Sequence, residues 1–362
     1  MNSPSSVSSV RSEGFFFDDS LRRCPGKELC NLRGWTCLCD IERFLKRWQD
    51  LGESPFLPRP YSPLPPLNAS LPLYVPMIRH GSRRDNVFHS PIVALSTFDV
   101  FQNRKKGYGA RFSTAEELRK HYHLRPDAQI LLVSVAKDRH LETYWSNRNL
   151  FKIPDALARL APLGITVPNY SSFIDAPSSH TKWNLRRMLK NAEEFAATGT
   201  AVVPHLNART RDDWNFWATL LEAQSTIRYV CKEFQTGLHK YEVGARTLWR
   251  IDELQHRLGR ALHPIMVGGA RFAHVAARYF ESFTIIDSAP FIKTVKRKRC
   301  VRLADAHLIW KKNILPEHAS LDELLEYNFN LYDRVMEDRV ALAKLIAVEA
   351  AQLELPLRFA IH

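Results

Sequence analysis

The strongest constraint on this chain is an alternation. Between residues 165 and 290, short apolar runs take turns with stretches of helical periodicity, and the runs keep ending on polar residues. The runs cover residues 166–175, 200–207, 227–235, 263–269 and 283–288, with helical stretches at 182–198, 212–224, 243–260 and 272–280 between them. Strand-length runs alternating with helices predict βα units and a parallel sheet. Runs this apolar suit strands covered on both faces. Three similar runs lie upstream, at 73–80, 92–101 and 130–138. Eight strands in about 215 residues is the size of a closed (β/α)8 barrel, a TIM-like α/β fold. An open doubly wound sheet is the competing topology, but no early glycine-rich dinucleotide fingerprint supports it.

The expected organisation follows from what flanks these runs. Residues 1–14 are serine-rich and predict a disordered tail. Residues 15–54 form a cysteine-rich lobe, in which Cys24, Cys30, Cys37 and Cys39 fall within sixteen residues. Four thiolates on a loop with Pro and Gly could hold a structural zinc or an iron–sulfur cluster. The alternative is a small packed loop whose buried cysteines act as hydrophobes. Six prolines in residues 55–66 predict a stiff linker over 55–70. The barrel is then assigned to 71–300 and a helical extension to 301–362, whose long helix would cover the barrel or contact a second copy or a partner protein.

The 362 residues carry a formal net charge of +13, which favours a polyanionic partner, nucleic acid above all. A positive region followed by an apolar core is missing from the first residues, and no run approaches ~18 apolar residues. These features predict a cytoplasmic protein without a membrane partner.

In parallel barrels the chemistry sits at the carboxyl ends of the strands. Those ends offer Asp99, Asp175, His205, Asn207, Glu233 and Asp287 as candidate catalytic residues. Two chemistries fit. Asp99, His205, Glu233 and Asp287 could bind divalent metal for phosphodiester hydrolysis. Alternatively, one acid serves as nucleophile or cation stabiliser while another handles the proton in breaking a base–glycosidic bond. Gly268, Gly269 and Arg271, after the seventh strand, are candidates for a phosphate site. Residues 293–302 hold six basic residues and no acid, so Lys293, Lys296, Arg297, Lys298 and Arg299 are candidates for contact with a nucleic-acid backbone. Trp183, Trp214, Trp217 and Trp249 lie in helical patterns and read as packing residues, not base-stacking platforms. The expected function is a nucleic-acid-directed barrel enzyme, a nuclease or a glycosidase or transglycosylase. A non-catalytic nucleic-acid-binding or assembly protein is the alternative.

The stretches 167–177, 203–207 and 285–291 resemble the DUF4417 family of uncharacterised prokaryotic proteins. The resemblance covers about residues 160–295. It implies a plasmid- or phage-associated setting, such as replication, plasmid maintenance or phage defence, and marks Asp175, His205, Asn207 and Asp287 as family-pattern positions. A barrel with an added cysteine site is more distantly similar to tRNA-guanine transglycosylases, although here the cysteines precede the barrel.

Overall fold

The structure, a computed structural model, describes residues 48–49, 51–52, 61–104, 107–172, 178–235, 238, 240–303, 307–312 and 320–359. The four clustered cysteines, the serine-rich tail and Asp175 lie outside these residues. Eight parallel strands form the barrel: β1 (Tyr74–Ile78), β2 (Ile92–Ser96), β5 (Gln129–Val133), β6 (Gly164–Thr166), β7 (Val202–Val203), β8 (Tyr229–Glu233), β9 (His263–Val267) and β10 (Thr284–Asp287). Their pairing runs β7-β6-β5-β2-β1-β10-β9-β8. A single parallel bridge, His205 with Cys231, joins the two ends. All eight expected strands are present and the ring closes.

Several of the runs end sooner than their apolar pattern suggests. The 92–101 run stops at Ser96, whose hydroxyl accepts the Phe98 N–H and starts a 3-10 turn. An antiparallel hairpin, β3 (Phe101–Arg104) with β4 (Gly107–Ala110), follows. The 166–175 run contributes strand only as far as Thr166, since Pro168 has no N–H to give a ladder. The connecting helices are α1 (Ala115–His121), α2 (Asp138–Asn147), α3 (Ile153–Ala158), α4 (Ser178–Ala196), α5 (Arg211–Ala223), α6 (Tyr241–Leu258), α7 (Ala273–Tyr279) and α8 (Ala289–Val295). After them come an antiparallel hairpin, β11 (Lys298–Arg302) and β12 (Leu308–Lys312), and the long helix α9 (Asp322–Phe359).

Side chains alternate between two buried layers, as the two-residue period of a strand requires. Val75, Met77, Ala94, Leu131, Val133, Val203, Cys231, Ile265, Val267 and Ile286 fill the barrel interior. Their chain neighbours Ile78, Val93, Leu95, Leu132, Val202, Val230, Met266 and Ile285 pack under the helices. Residues 61–72 cross the amino end of the barrel. Leu67 and Leu71 join the interior cluster, and Pro65, Ala69 and Pro72 offer carbonyls to Val202 N–H, Tyr229 and Thr284. His263 completes this floor, its ring nitrogens 2.9 Å from Ser282 and Thr284 hydroxyls.

The β1–β2 connection contains no helix. Its place beside β1 is taken by α9 from the far end of the chain. Tyr74 packs on Phe329 and Tyr332, and Phe88 on Phe329. The first turn of α9 is fixed by Asp322, whose Oδ2 accepts the N–H groups of Asp85 and Asn86 at 2.8 Å while Arg84 pairs with Oδ1. Buried Asn328 fastens the helix in its second turn. It accepts the Cys300 N–H and donates to Thr294 Oγ1 and the Lys298 carbonyl.

Two outcomes are expected. Asn328→Ala removes three hydrogen bonds, two of them buried, and should cost about 3 kcal/mol in denaturant unfolding. Burial, aided by Arg228, lowers His263 to about 4. The unfolded chain therefore takes up a proton below the ordinary histidine value that the folded chain refuses, so stability is lost as pH falls through that window. Between pH 7.5 and 5 the wild type should lose about 2 kcal/mol more than His263→Gln, read from parallel denaturant curves.

Candidate active site at the barrel mouth

Two cavities open at the carboxyl ends of the strands. The axial one, about 260 Å³, is lined by Met77, Arg79, Val135, Gln235, Val267, Ser288 and Ile292. The lateral one, about 660 Å³, lies between the ends of β6, β7 and β8 and the helices α5 and α6. Its walls carry Asn169, Ser171, Ser172, Asn207, Arg209, Trp214, Lys232, Glu233, Arg246 and Arg250. A further hollow of about 220 Å³ shares Arg209, Trp214 and Arg250 with it and adds Arg211, Asn215 and Arg257. Together they make a cationic groove that ends on the strand-end residues.

The β6 wall is held by a buried guanidinium. Arg187, on α4, makes a bidentate pair with Glu142 of α2 at 2.9–3.0 Å. It also lies over the rings of Tyr170, Trp183 and Trp145 at 3.7, 4.2 and 4.7 Å. Paired and caged, this charge can be buried at a tolerable cost. Asn184, one turn earlier on α4, accepts from Arg187 and donates to the Ser171 carbonyl, and the Ser171 hydroxyl donates to Asp138. The α6 wall is seated by Gly244, where a Cβ would come within 2.2 Å of the Phe272 ring.

At the floor stands Lys232. By strand alternation it faces the helix layer, since Cys231 before it faces the barrel interior. Its Nζ donates to Asn207 Oδ1 at 3.0 Å, and Asn207 is fixed in turn by its bond to the Tyr170 carbonyl at 2.6 Å. Burial lowers the ammonium to about 8, against the pull of Glu233 and with help from Arg209. Glu233 accepts the Gln235 N–H at 2.6 Å. The guanidinium groups of Arg209, Arg211 and Arg246 have no acidic partner among the described residues. Arg250 and Arg257 pair with Glu253 and Glu222.

The residues expected from sequence scatter. Asn207 and Glu233 line the lateral cavity. His205 lies beneath it, fully buried in the barrel with neither ring nitrogen hydrogen-bonded among the described residues, and burial, with Lys232, disfavours its charged form. Asp99 sits by the axial mouth, paired with Arg79 at 3.2 Å, its carboxyl raised by burial. Asp287 faces outward, because Ile286 faces in. Its carboxylate accepts the Ala289 N–H and the Tyr332 hydroxyl, tying β10 to α8 and α9. The proposed metal set of Asp99, His205, Glu233 and Asp287 therefore does not converge. Among the described residues no three histidine, cysteine or acidic side chains are grouped to hold a metal ion.

The glycine pair and the basic run also take other places. Gly268, at φ +73°, spends its N–H on the Ile286 carbonyl and leaves room for Gln235. Arg271 lies near the rings of Tyr241 and Phe272. Lys293 belongs to α8, Lys296 and Arg297 to the turn after it, and Lys298 and Arg299 to β11. Trp183 and Trp217 are buried as expected, whereas Trp214 lines the cavity. The missed residues had a weak signal. Arg209 and Arg211 flank the Thr210 cap of α5, and Arg246 and Arg250 stand four apart on one face of α6.

Fold and site together define a (β/α)8 barrel with a cationic cavity at its carboxyl mouth. No protein-family model matches the chain, and no curated protein matches it. Among solved structures it is similar to tryptophan synthase subunit alpha from Legionella pneumophila str. Paris, at 11% identity and a TM-score of 0.36, over 82% of this chain and 98% of that one. It is also similar to tryptophan synthase from M. tuberculosis, at 11% identity and a TM-score of 0.35, over 73% and 92%. No helix among the described residues is long and apolar enough to cross a membrane.

The lysine gives this site a signature in stability. Between about 8 and its ordinary value, the unfolded chain holds a proton on Lys232 that the folded chain has shed, so stability rises with pH there. From pH 7.5 to 10 the wild type should gain about 2 kcal/mol relative to Lys232→Met in denaturant unfolding.

Proposed function

We propose that this protein is a nucleic-acid-directed barrel enzyme that binds phosphates along the Arg209, Arg211 and Arg246 groove and acts on a sugar at the strand ends. The observation that carries the reading is the set of guanidinium groups that have no acidic partner among the described residues, leading to a cavity floored by Lys232, Asn207 and Glu233. Guanidinium forks suit phosphate oxygens, and Trp214 adds a ring on which a base can stack. Among the described residues lining the lateral cavity, Glu233 is the acid. One carboxylate that moves a proton or stabilises positive charge on a sugar favours breaking a base–glycosidic bond over phosphodiester hydrolysis.

A binding role without chemistry has one observation in its favour. In the β11–β12 hairpin Lys298 stands opposite Lys312 and Arg299 opposite Lys311. Like charges opposite one another weaken a hairpin, and a polyanion would relieve them.

The test is binding of labelled DNA and RNA oligonucleotides across a salt series, with release of free base measured alongside. Arg209→Ala and Arg246→Ala should each weaken binding about tenfold and lower the salt slope by about 1. Glu233→Gln should abolish base release while binding persists. Binding lost through Lys298→Glu and Lys311→Glu but indifferent to the groove variants would move the function to the hairpin. Salt-insensitive binding would overturn both readings.

A further inference from the structure

We infer that Lys232 is a nucleophilic amine that forms an imine with a phosphate-bearing aldehyde held in the lateral cavity. The inference rests on the proposed phosphate binding by the groove arginines and names the chemistry at its floor. Lys232 is 7% exposed at the carboxyl end of β8. Among the described residues no carboxylate lies within ion-pair distance of its Nζ, and its hydrogen-bond partner is the neutral amide of Asn207 at 3.0 Å. A lysine kept for stability is paired or extends its ammonium to water. An ammonium buried without a counter-ion is costly, and the cost falls when the group becomes a neutral amine. Burial lowers Lys232 to about 8, in the direction that supplies such an amine near neutral pH.

The surroundings fit an aldehyde that carries phosphate. The cavity, about 660 Å³, is of the size that holds small-molecule ligands. Arg209 and Arg246 supply cationic forks on its wall, and Asn207 holds the amine in place. In the reaction the amine nitrogen forms a bond to the carbonyl carbon, giving a carbinolamine. The carbinolamine oxygen takes a proton and leaves as water, and the nitrogen lone pair closes the C=N bond. One aldehyde, one amine and one proton become one iminium ion and one water, with no oxidant or reductant. Glu233, the next residue of β8 and part of the same cavity lining, is the group available to carry the proton.

The same chemistry has two sources. One is the open-chain C1′ aldehyde of a base-free deoxyribose within a DNA strand, the residue that hydrolysis of a base–glycosidic bond leaves. The other is a free open-chain sugar phosphate. The full chain is incubated with sodium cyanoborohydride and either an oligonucleotide bearing one base-free deoxyribose or deoxyribose 5-phosphate. The reductant converts an imine to a stable secondary amine, which intact mass and peptide mapping locate.

The expected result is one adduct on Lys232 with at least one of the two aldehydes. It should fall at least tenfold in Lys232→Arg and Lys232→Met, with melting temperatures within a few degrees of wild type, and its yield should rise with a midpoint near pH 8. No adduct with either aldehyde overturns the inference, as does labelling of exposed lysines that Lys232→Arg leaves unchanged. Binding of an undamaged oligonucleotide is measured in the same samples. Salt-sensitive binding without an adduct removes the imine and keeps the nucleic-acid reading. An adduct with the sugar phosphate and no oligonucleotide binding keeps the imine and removes the polymer.

Discussion

A parallel barrel must have every strand covered on its outer face, because its strands are apolar on both sides and its ladders leave no solvated surface. Most of this chain meets that requirement locally, each strand feeding the helix that covers it. The β1–β2 connection does not, and the fold is completed from the other end of the sequence. Helix α9 lies against Tyr74 and Phe88, capped by the loop it covers and fastened through Asn328 to α8 and β11. The barrel and the start of this helix therefore share one buried core, and Asp287 serves that union by accepting the Tyr332 hydroxyl.

Closure has consequences at the opposite side of the ring. Strand β7 is two residues long, and the seam to β8 depends on the pairing of His205 with Cys231. A short β7 leaves the following residues free to turn outward, and they carry Asn207 and Arg209 to the lateral cavity. The lateral cavity thus opens where the ladder is shortest. His205, one step earlier, is sealed in the interior with both nitrogens unpartnered among the described residues, and burial, with Lys232, disfavours its charged form.

The electrostatics of the two burials differ in kind. Arg187 is buried with Glu142 as its ion-pair partner and three aromatic rings around it. Lys232 has a neutral amide as its hydrogen-bond partner and is pulled toward the neutral amine. The first arrangement holds a wall in place. The second gives the cavity floor an amine whose charged form is disfavoured by burial.

Much of the fold was legible in the sequence. Strand-length apolar runs alternating with helical periods are local signals, and all eight runs became barrel strands. Asn207 and Glu233 were legible as strand-end polar residues. Which way a side chain faces was not, because a shift of one residue in register exchanges the two layers. That is why the outward orientation of Asp287 toward Tyr332 was not legible, and why Lys232, beside the expected Glu233, went unremarked. The basic run at 293–302 was conspicuous in sequence, whereas Arg209, Arg211, Arg246 and Arg250 were dispersed over two βα units. Tertiary structure brought them together, since strands β7 and β8 are neighbours only once the sheet has closed. Composition and periodicity determined a basic (β/α)8 barrel; closure and register decided where its charges meet.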